Sequence, residues 1–140
     1  MTPEDFVRES NRIEGIHRAP TALEMDEFHR FMDLGELTVA DLEEFVTVYQ
    51  PGAVLRDKPG LDVRVGNHHP LRGGVAIRVL LRELLIEATN AYQTHVAYEK
   101  LHPFTDCNGR SGRMIWAWMM QDIRLGFLHR FYYQALEHSR

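Results

Sequence analysis

Apolar residues recur every three or four positions along most of this chain, the spacing that places them on one face of an α-helix. Thr2, Thr21 and Thr38 each precede such a pattern, and threonine is a residue type that caps helix N-termini. The patterns stop at residues that break helices: Ala19-Pro20, Gly35 and Pro51-Gly52. The sequence therefore predicts three helices within residues 1–50.

The pattern changes over residues 53–67. Leu61, Val63 and Val65 alternate with polar residues after the turn-like sequence at 57–60, and such alternation is typical of a β-strand. We therefore expect a short β-hairpin over residues 53–67, although a single hairpin has little stability by itself.

Three more helices are predicted after the hairpin. A glycine-bearing loop over 66–74 precedes a long helix over 75–101, then a strongly apolar helix over 110–123 and an amphipathic helix over 127–136. The apolar helix is expected to form the centre of the core. The expected inward face of the long helix carries Leu80, Leu84, Ala88, Ala91, His95 and Tyr98. The predicted fold is one all-α domain over residues 1–140 with a small β-hairpin.

The composition is that of a folded protein without a general affinity for nucleic acid or membranes. Hydrophobic residues make up 44% of the 140 positions and charged residues 26%, proportions that exclude a disordered chain. The formal net charge is −4, and no run of like charges exceeds a pair, so we expect no nucleic-acid binding. Short apolar stretches, the absence of a signal-peptide pattern and a single cysteine, Cys107, predict a cytoplasmic protein with no membrane partner.

Chemically active residues concentrate at positions 102–113, between the two most apolar helices. The segment reads His-Pro-Phe-Thr-Asp-Cys-Asn-Gly-Arg-Ser-Gly-Arg. A glycine-bearing loop that leads into a helix presents backbone N–H groups and the positive end of the helix dipole, which suit phosphate oxygens. Arg110 and Arg113 lie three positions apart on the first turn, so we expect them to clamp a polyphosphate together.

Asp106 and His102 add two functions to this predicted anion site. A carboxylate beside phosphates requires a cation, so Asp106 predicts a bridging Mg²⁺ ion. His102 has a near-neutral intrinsic pKa and can remove a proton from a hydroxyl that attacks phosphorus. These features indicate a phosphoryl-type transfer. Taken singly, the same residue types are also typical of helix ends, turns and solvated helix faces.

Segment 102–113 resembles the signature of the Fic family, His-Pro-Phe-x-(Asp/Glu)-Gly-Asn-Gly-Arg-x-x-Arg, and departs from it only at Cys107. The resemblance extends to a long helix before the motif and to a hairpin before that helix, which in the family is called the flap. It implies a Fic-like helical fold and a protein adenylyltransferase. Such an enzyme transfers AMP from ATP to a Tyr, Thr or Ser hydroxyl of a target protein and releases pyrophosphate.

The resemblance also implies a role for each matching residue. His102 is implied to be the general base on the target hydroxyl, and Asp106 to be the Mg²⁺ ligand. The residues implied to bind the nucleotide phosphates are Asn108, Gly109, Arg110, Gly112 and Arg113. The flap residues implied to dock the target segment through main-chain hydrogen bonds are Val63, Arg64, Val65 and Gly66.

A second motif lies near the N-terminus. Residues 10–15 fit the family's inhibitory pattern, (Ser/Thr)-x-x-x-Glu-(Gly/Asn), with Ser10 and Glu14 at its defined positions. The resemblance implies that residues 1–18 form an inhibitory helix whose Glu14 pairs with Arg113, the side chain that would receive the γ-phosphate. We therefore expect autoinhibition, with removal of AMP as a second implied activity. As a lone residue, Glu14 is also typical of a helix surface.

Cys107 stands where the family has glycine. If this position has a positive φ, cysteine costs on the order of 1 kcal/mol there, and a helix N-terminus would lower the thiol pKa and make it redox sensitive. Two alternatives stay open. One is a nucleotide-binding regulator in which Cys107 has weakened catalysis, and the other is a transferase of another phosphate-linked group such as UMP or phosphocholine, because a phosphate-binding loop does not read the base. The target protein, modification of the protein itself and assembly into a homo-oligomer are also left open.

Overall fold

The computed structural model of the protein describes residues 1–124, which contain six α-helices and no β-strand. The predicted helix over 127–136 lies outside the described residues. The helices are α1 (Pro3–Ile13), α2 (Ala22–Met32), α3 (Val39–Tyr49), α4 (Val75–Ile86), α5 (Ala91–Leu101) and α6 (Asn108–Met120). Within residues 1–124, none of these helices has the length and apolar character needed to cross a membrane. The predicted all-α class is confirmed.

The first three helices begin where the capping threonines predicted. Thr2, Thr21 and Thr38 each accept a hydrogen bond from the backbone N–H three residues later, and the acidic side chain at that position bonds back to the threonine. Helix α1 is shorter than the predicted range of 1–18, because it ends at Ile13 and Gly15 follows in a left-handed conformation with φ 80°.

The prediction of one long helix over 75–101 is wrong. The chain forms α4 and α5 instead, and the Asn90 side chain caps the second helix by accepting from the N–H of Gln93. The break lets α5 pack against α4. It also divides the expected inward face, since His95 and Tyr98 are fully buried while Leu80 on α4 is 40% exposed.

Helix α6 lies at the centre of the fold, as its apolar sequence predicted. It packs against α1, α2, α3 and α5, and its buried apolar residues are Met114, Ile115 and Ala117. The helix covers Asn108–Met120 rather than 110–123. It begins two residues earlier because Cys107 turns the chain and serves as the N-cap.

The predicted hairpin over residues 53–67 is not confirmed. Leu55 forms an isolated antiparallel bridge with Phe104 instead of pairing with residues 61–65. The N–H of Arg56 donates to the Pro103 carbonyl at 2.8 Å, and the N–H of Thr105 donates to the Val54 carbonyl at 2.9 Å. These hydrogen bonds attach the first half of the segment to the loop before α6, so its backbone groups have partners outside a hairpin.

Replacing Leu42 by alanine is expected to lower the free energy of unfolding by about 2–5 kcal/mol, because the Leu42 side chain is fully buried in α3 and its removal leaves a cavity. Replacing Leu23, which is 71% exposed, is expected to change it by less than about 0.5 kcal/mol. Urea denaturation of both variants measures the difference. Equal losses for the two variants would contradict this assignment of the core.

Candidate anion-binding site at the start of helix α6

Two residues in left-handed conformation set the shape of the loop between α5 and α6. His102, with φ 50° and ψ 61°, ends α5, and its N–H donates to the Tyr98 carbonyl at 2.9 Å. Cys107, with φ 72°, immediately precedes α6. Position 107 therefore has the positive φ that we expected for an anion-binding loop. A residue other than glycine at this position carries a conformational cost of about 1 kcal/mol.

The Asn108 side chain closes this loop. Its Oδ1 accepts from the Phe104 N–H at 2.9 Å, and its Nδ2 donates to the Phe104 carbonyl at 2.8 Å. Phe104 and Asn108 are both buried. The amide predicted to orient a phosphate is therefore engaged with the backbone of the loop, and its phosphate contact stays a prediction.

Arg56 also supports the loop between α5 and α6. The sequence did not predict this role for it. Its fully buried guanidinium donates to the carbonyls of His102 at 2.7 Å, Leu101 at 2.9 Å, Leu61 at 3.0 Å and Leu71 at 2.8 Å. Burial lowers the pKa of Arg56 below its usual value. An arginine in a stretch without helical or strand periodicity offered no signal of burial.

The N-terminus of α6 is covered by a carboxylate of the same chain. A Cβ atom placed on Gly109 would collide with Oε1 of Glu14, and it would lie 3.1 Å from Nη1 of Arg113. The first N–H groups of a helix have no acceptor within the helix, and the helix dipole favours negative charge at this end. The Glu14 carboxylate therefore lies beside the first turn of α6, the end of the helix at which negative charge is favoured.

Arg113 binds the end of α1. Its Nη2 donates to Glu14 Oε1 at 2.8 Å and to the Ser10 carbonyl at 2.9 Å, while its Nε donates to Ser10 Oγ at 2.9 Å. The Arg113 side chain is 4% exposed and the Glu14 side chain 38% exposed. The predicted contact between Glu14 and Arg113 is thus present, and Ser10 takes part in it.

Arg110 and Arg113, predicted to clamp a polyphosphate together, contact different helices in this structure, and their joint phosphate contact stays a prediction. Nη1 of Arg110 donates to the Tyr49 carbonyl at 2.9 Å, and Nη2 donates to Gln50 Oε1 at 2.6 Å. Arg110 therefore binds the C-terminus of α3, where a cation is favoured by the helix dipole. Because α6 lies between α1 and α3, each neighbouring helix binds one of the two guanidiniums.

Gly112 serves the packing of α6 on α5. A Cβ atom at this position would lie 3.0 Å from both Glu99 Oε1 and His95 Cε1, a very close approach. Its carbonyl oxygen lies 3.0 Å from His95 Nδ1. Gly112 was predicted among the phosphate-binding residues. In the structure it faces α5, and only a residue without a side chain permits the two helices to approach so closely.

Asp106 lies at the exposed start of the site. Its Oδ1 accepts from the Cys107 N–H at 2.7 Å. In the part of the chain that the structure describes, no group of three or more His, Cys, Asp or Glu side chains could hold a metal ion. Magnesium in nucleotide sites commonly uses only one or two protein carboxylates together with substrate phosphates, so a single exposed Asp106 suits that mode of binding.

The residues predicted as the flap lie near the end of α5. Val65 and His68 exchange two backbone hydrogen bonds of 3.0 and 2.8 Å, and the His68 ring lies 3.0 Å from the carbonyl of Lys100. Arg64 donates to the Gly66 carbonyl, and Val63 is partly buried. Residues 63–66 therefore form a compact turn. This turn lies beside the C-terminal end of α5, which is where His102 is located.

The Cys107 thiol is not the reactive group that its place before a helix suggested. Burial raises its pKa to about 12, which outweighs the opposite influence of the nearby Arg110 and Arg113. The residue is 4% exposed. The expectation of a lowered pKa and redox sensitivity is therefore wrong, because desolvation of the thiolate dominates at this position.

Comparisons with known proteins give no family assignment. No protein-family model matches the sequence, and no curated protein matches it significantly.

Alkylation of Cys107 by iodoacetamide at pH 8 is expected to be about a hundredfold or more slower in the folded protein than in denaturant, because the thiol is buried and almost fully protonated. Mass spectrometry of timed samples measures the rate. A small thiol peptide in the same buffers corrects for the effect of denaturant on the reagent. Equal rates in the folded and unfolded chain would contradict the buried position.

Proposed function

We propose that this chain is a Fic-type protein adenylyltransferase that its own Glu14 keeps inactive. The observation that carries the proposal is the Glu14 carboxylate, which lies against Gly109 at the N-terminus of α6 and pairs with Arg113 at 2.8 Å. A negatively charged group of the chain fills a site whose helix dipole and guanidinium favour anions. The phosphates of ATP are the anions we assign to this site.

The reaction we assign uses His102 as the base. Its ring nitrogen takes the proton from a hydroxyl of the target protein, the hydroxyl oxygen forms a bond to the α-phosphorus of ATP, and the bond to the leaving pyrophosphate breaks. Two observations support this assignment. His102 ends the helix that precedes the anion site, and the loop between them is held by buried hydrogen bonds from Arg56 and Asn108.

Asp106 is the residue that would hold a magnesium ion in this proposal. A bound Mg²⁺ ion supplies charge neutralisation for the phosphate oxygens. The turn at residues 63–66 would hold the target segment beside His102, because that turn is attached to the end of α5 through His68 and Lys100. Glu14 would prevent productive binding, since its carboxylate and a γ-phosphate compete for Arg113.

A second candidate is a nucleotide-binding regulator without transferase activity. It is favoured by Cys107, which stands where the Fic signature has glycine and holds a left-handed conformation with φ 72° at the start of α6. A third candidate is transfer of UMP or phosphocholine, because a phosphate site of this kind does not by itself distinguish the group attached to the phosphates.

Replacing Glu14 by glycine is expected to tighten ATP binding by about tenfold or more, because one unfavourable charge contact of about 1.4 kcal/mol corresponds to a factor of ten. Isothermal titration calorimetry with Mg²⁺ and ATP measures the change. Glu4→Gly is the matched control, since Glu4 lies at the opposite end of α1 from Glu14 and forms an ion pair with the exposed Arg8. Equal affinities for wild type and Glu14→Gly would show that the carboxylate does not exclude the nucleotide.

Incubation with ATP labelled on the α-phosphate is expected to label a target protein in a cell lysate, or the chain itself, when Glu14→Gly is present. Wild type is expected to transfer less. The double variant Glu14→Gly/His102→Ala is expected to lose about 10²–10⁴-fold in rate, the usual contribution of a general base.

The outcomes separate the three candidates. If the variants bind ATP but none of them transfers label, the nucleotide-binding regulator is the candidate that remains. Label from UTP or CDP-choline, with none from ATP, would favour transfer of another group. Label that persists in the double variant would remove His102 from the mechanism.

A further inference from the structure

We propose that Arg56 is a positioning residue for this reaction, one that sets the distance between the base His102 and the segment that docks the target. The inference rests on the proposed function and extends it to a residue outside the 102–113 segment. Within residues 1–124, the Arg56 side chain binds both the end of α5 and the chain on either side of the 63–66 turn.

The guanidinium reaches four carbonyls from two parts of the chain. Two of them belong to the end of α5: the carbonyls of His102 at 2.7 Å and Leu101 at 2.9 Å. The other two, from Leu61 at 3.0 Å and Leu71 at 2.8 Å, lie on either side of residues 63–66 along the chain. One rigid, planar group therefore links the base to both ends of the proposed flap.

The contacts of Arg56 require a guanidinium. The residue is fully buried, and within residues 1–124 no carboxylate lies at ion-pair distance from it, although the more distant Asp62 favours its charged form. Burying such a charge is costly, so a side chain that served only to fill space would be apolar. Five N–H donors in one plane can satisfy four carbonyls at once, and lysine has neither the number nor the spread of donors.

Arg56 acts directly on the conformation of His102. The last carbonyls of a helix have no partner within the helix, and Arg56 supplies partners for those of Leu101 and His102. These bonds are made on either side of the α-carbon of His102, which has the left-handed conformation, φ 50°, that is uncommon for residues other than glycine. The direction in which the imidazole leaves the backbone is thereby fixed.

The same group fixes the segment that receives the target. Arg56 binds the chain before and after the turn at residues 63–66, and the Gly74 N–H donates to the Arg56 carbonyl at 2.9 Å. A displacement of Arg56 would therefore move the docking segment relative to the base while leaving the phosphate site on α6 in place. Such a change affects the chemical step more than ATP binding.

The test compares Arg56→Lys and Arg56→Gln with Arg78→Lys in the Glu14→Gly background. Arg78 is a matched control because it also attaches the 53–74 segment, through Asp57, but contacts neither His102 nor its loop. With labelled ATP, both Arg56 variants are expected to lower kcat by at least about tenfold, since a small misplacement of a base is costly. Their KM for ATP is expected to stay within about twofold, the pattern of an effect on the chemical step.

Nuclear magnetic resonance supplies a second measurement that does not depend on activity. The backbone ¹³Cα shift of His102 reports its left-handed conformation, and it is expected to move towards the helical value in both Arg56 variants but not in Arg78→Lys. Unchanged His102 signals in a folded Arg56→Lys protein would overturn the proposal. So would a loss of activity equal to that of Arg78→Lys.

The result also separates this proposal from the proposed function. If the Glu14→Gly parent transfers no label, the proposed function fails, and the His102 signals alone then decide whether Arg56 holds that residue. If neither Arg56 variant folds, hydrogen exchange on the wild-type chain decides instead. The Nε–H of Arg56 and the N–H of His102 are then expected to exchange through one common opening, and independent openings would overturn the proposal.

Discussion

The carbonyl groups at the ends of three helices have no partner within their own helix, and each helix end binds a buried guanidinium. Arg56 binds the last carbonyl of α5, Arg110 binds that of α3, and Arg113 binds the Ser10 carbonyl in the last turn of α1. Each contact satisfies backbone acceptors and places positive charge at the negative end of a helix dipole. Arg56 in this way binds the start of the loop before α6, while Arg110 and Arg113 join α6 itself to α3 and α1.

The contact with α1 differs from the other two in one respect. Arg56 and Arg110 bind neutral carbonyl and amide oxygens, whereas Arg113 also pairs with the carboxylate of Glu14. Removing a partner from a buried charge is strongly unfavourable unless another anion replaces it. Under the proposed function, a phosphate at the start of α6 would be such a replacement, so displacement of Glu14 and entry of a nucleotide would be coupled. The 38% exposure of the Glu14 side chain, against 4% for Arg113, makes Glu14 the more readily displaced of the two.

Most of the helical architecture was predictable because its signals are local. Each of the first three helices carries a capping box whose two hydrogen bonds join residues three positions apart. The break between α4 and α5 was missed because Leu84, Ala88 and Ala91 keep a helical spacing across it, while the decisive signal was a single capping Asn90. The hairpin over 53–67 was predicted from two local signals, the turn-like sequence at 57–60 and the alternation that follows it. In the structure, the partner of Leu55 is Phe104, about fifty positions away along the chain, which no local pattern can indicate.

The sequence by itself determined which residue types lie at the candidate site: the histidine, the carboxylates and the guanidiniums follow from two short segments, 10–15 and 102–113. It also indicated that Glu14 would contact Arg113, because a resemblance to a known motif carries information about distant pairs. Only the tertiary structure decided what each guanidinium binds. Arg110 and Arg113 are three positions apart, yet one faces α3 and the other α1, because α6 is packed between these helices. The buried position of Arg56 has the same cause. Its four acceptors come from separate parts of the chain, and only folding brings them within reach of one side chain.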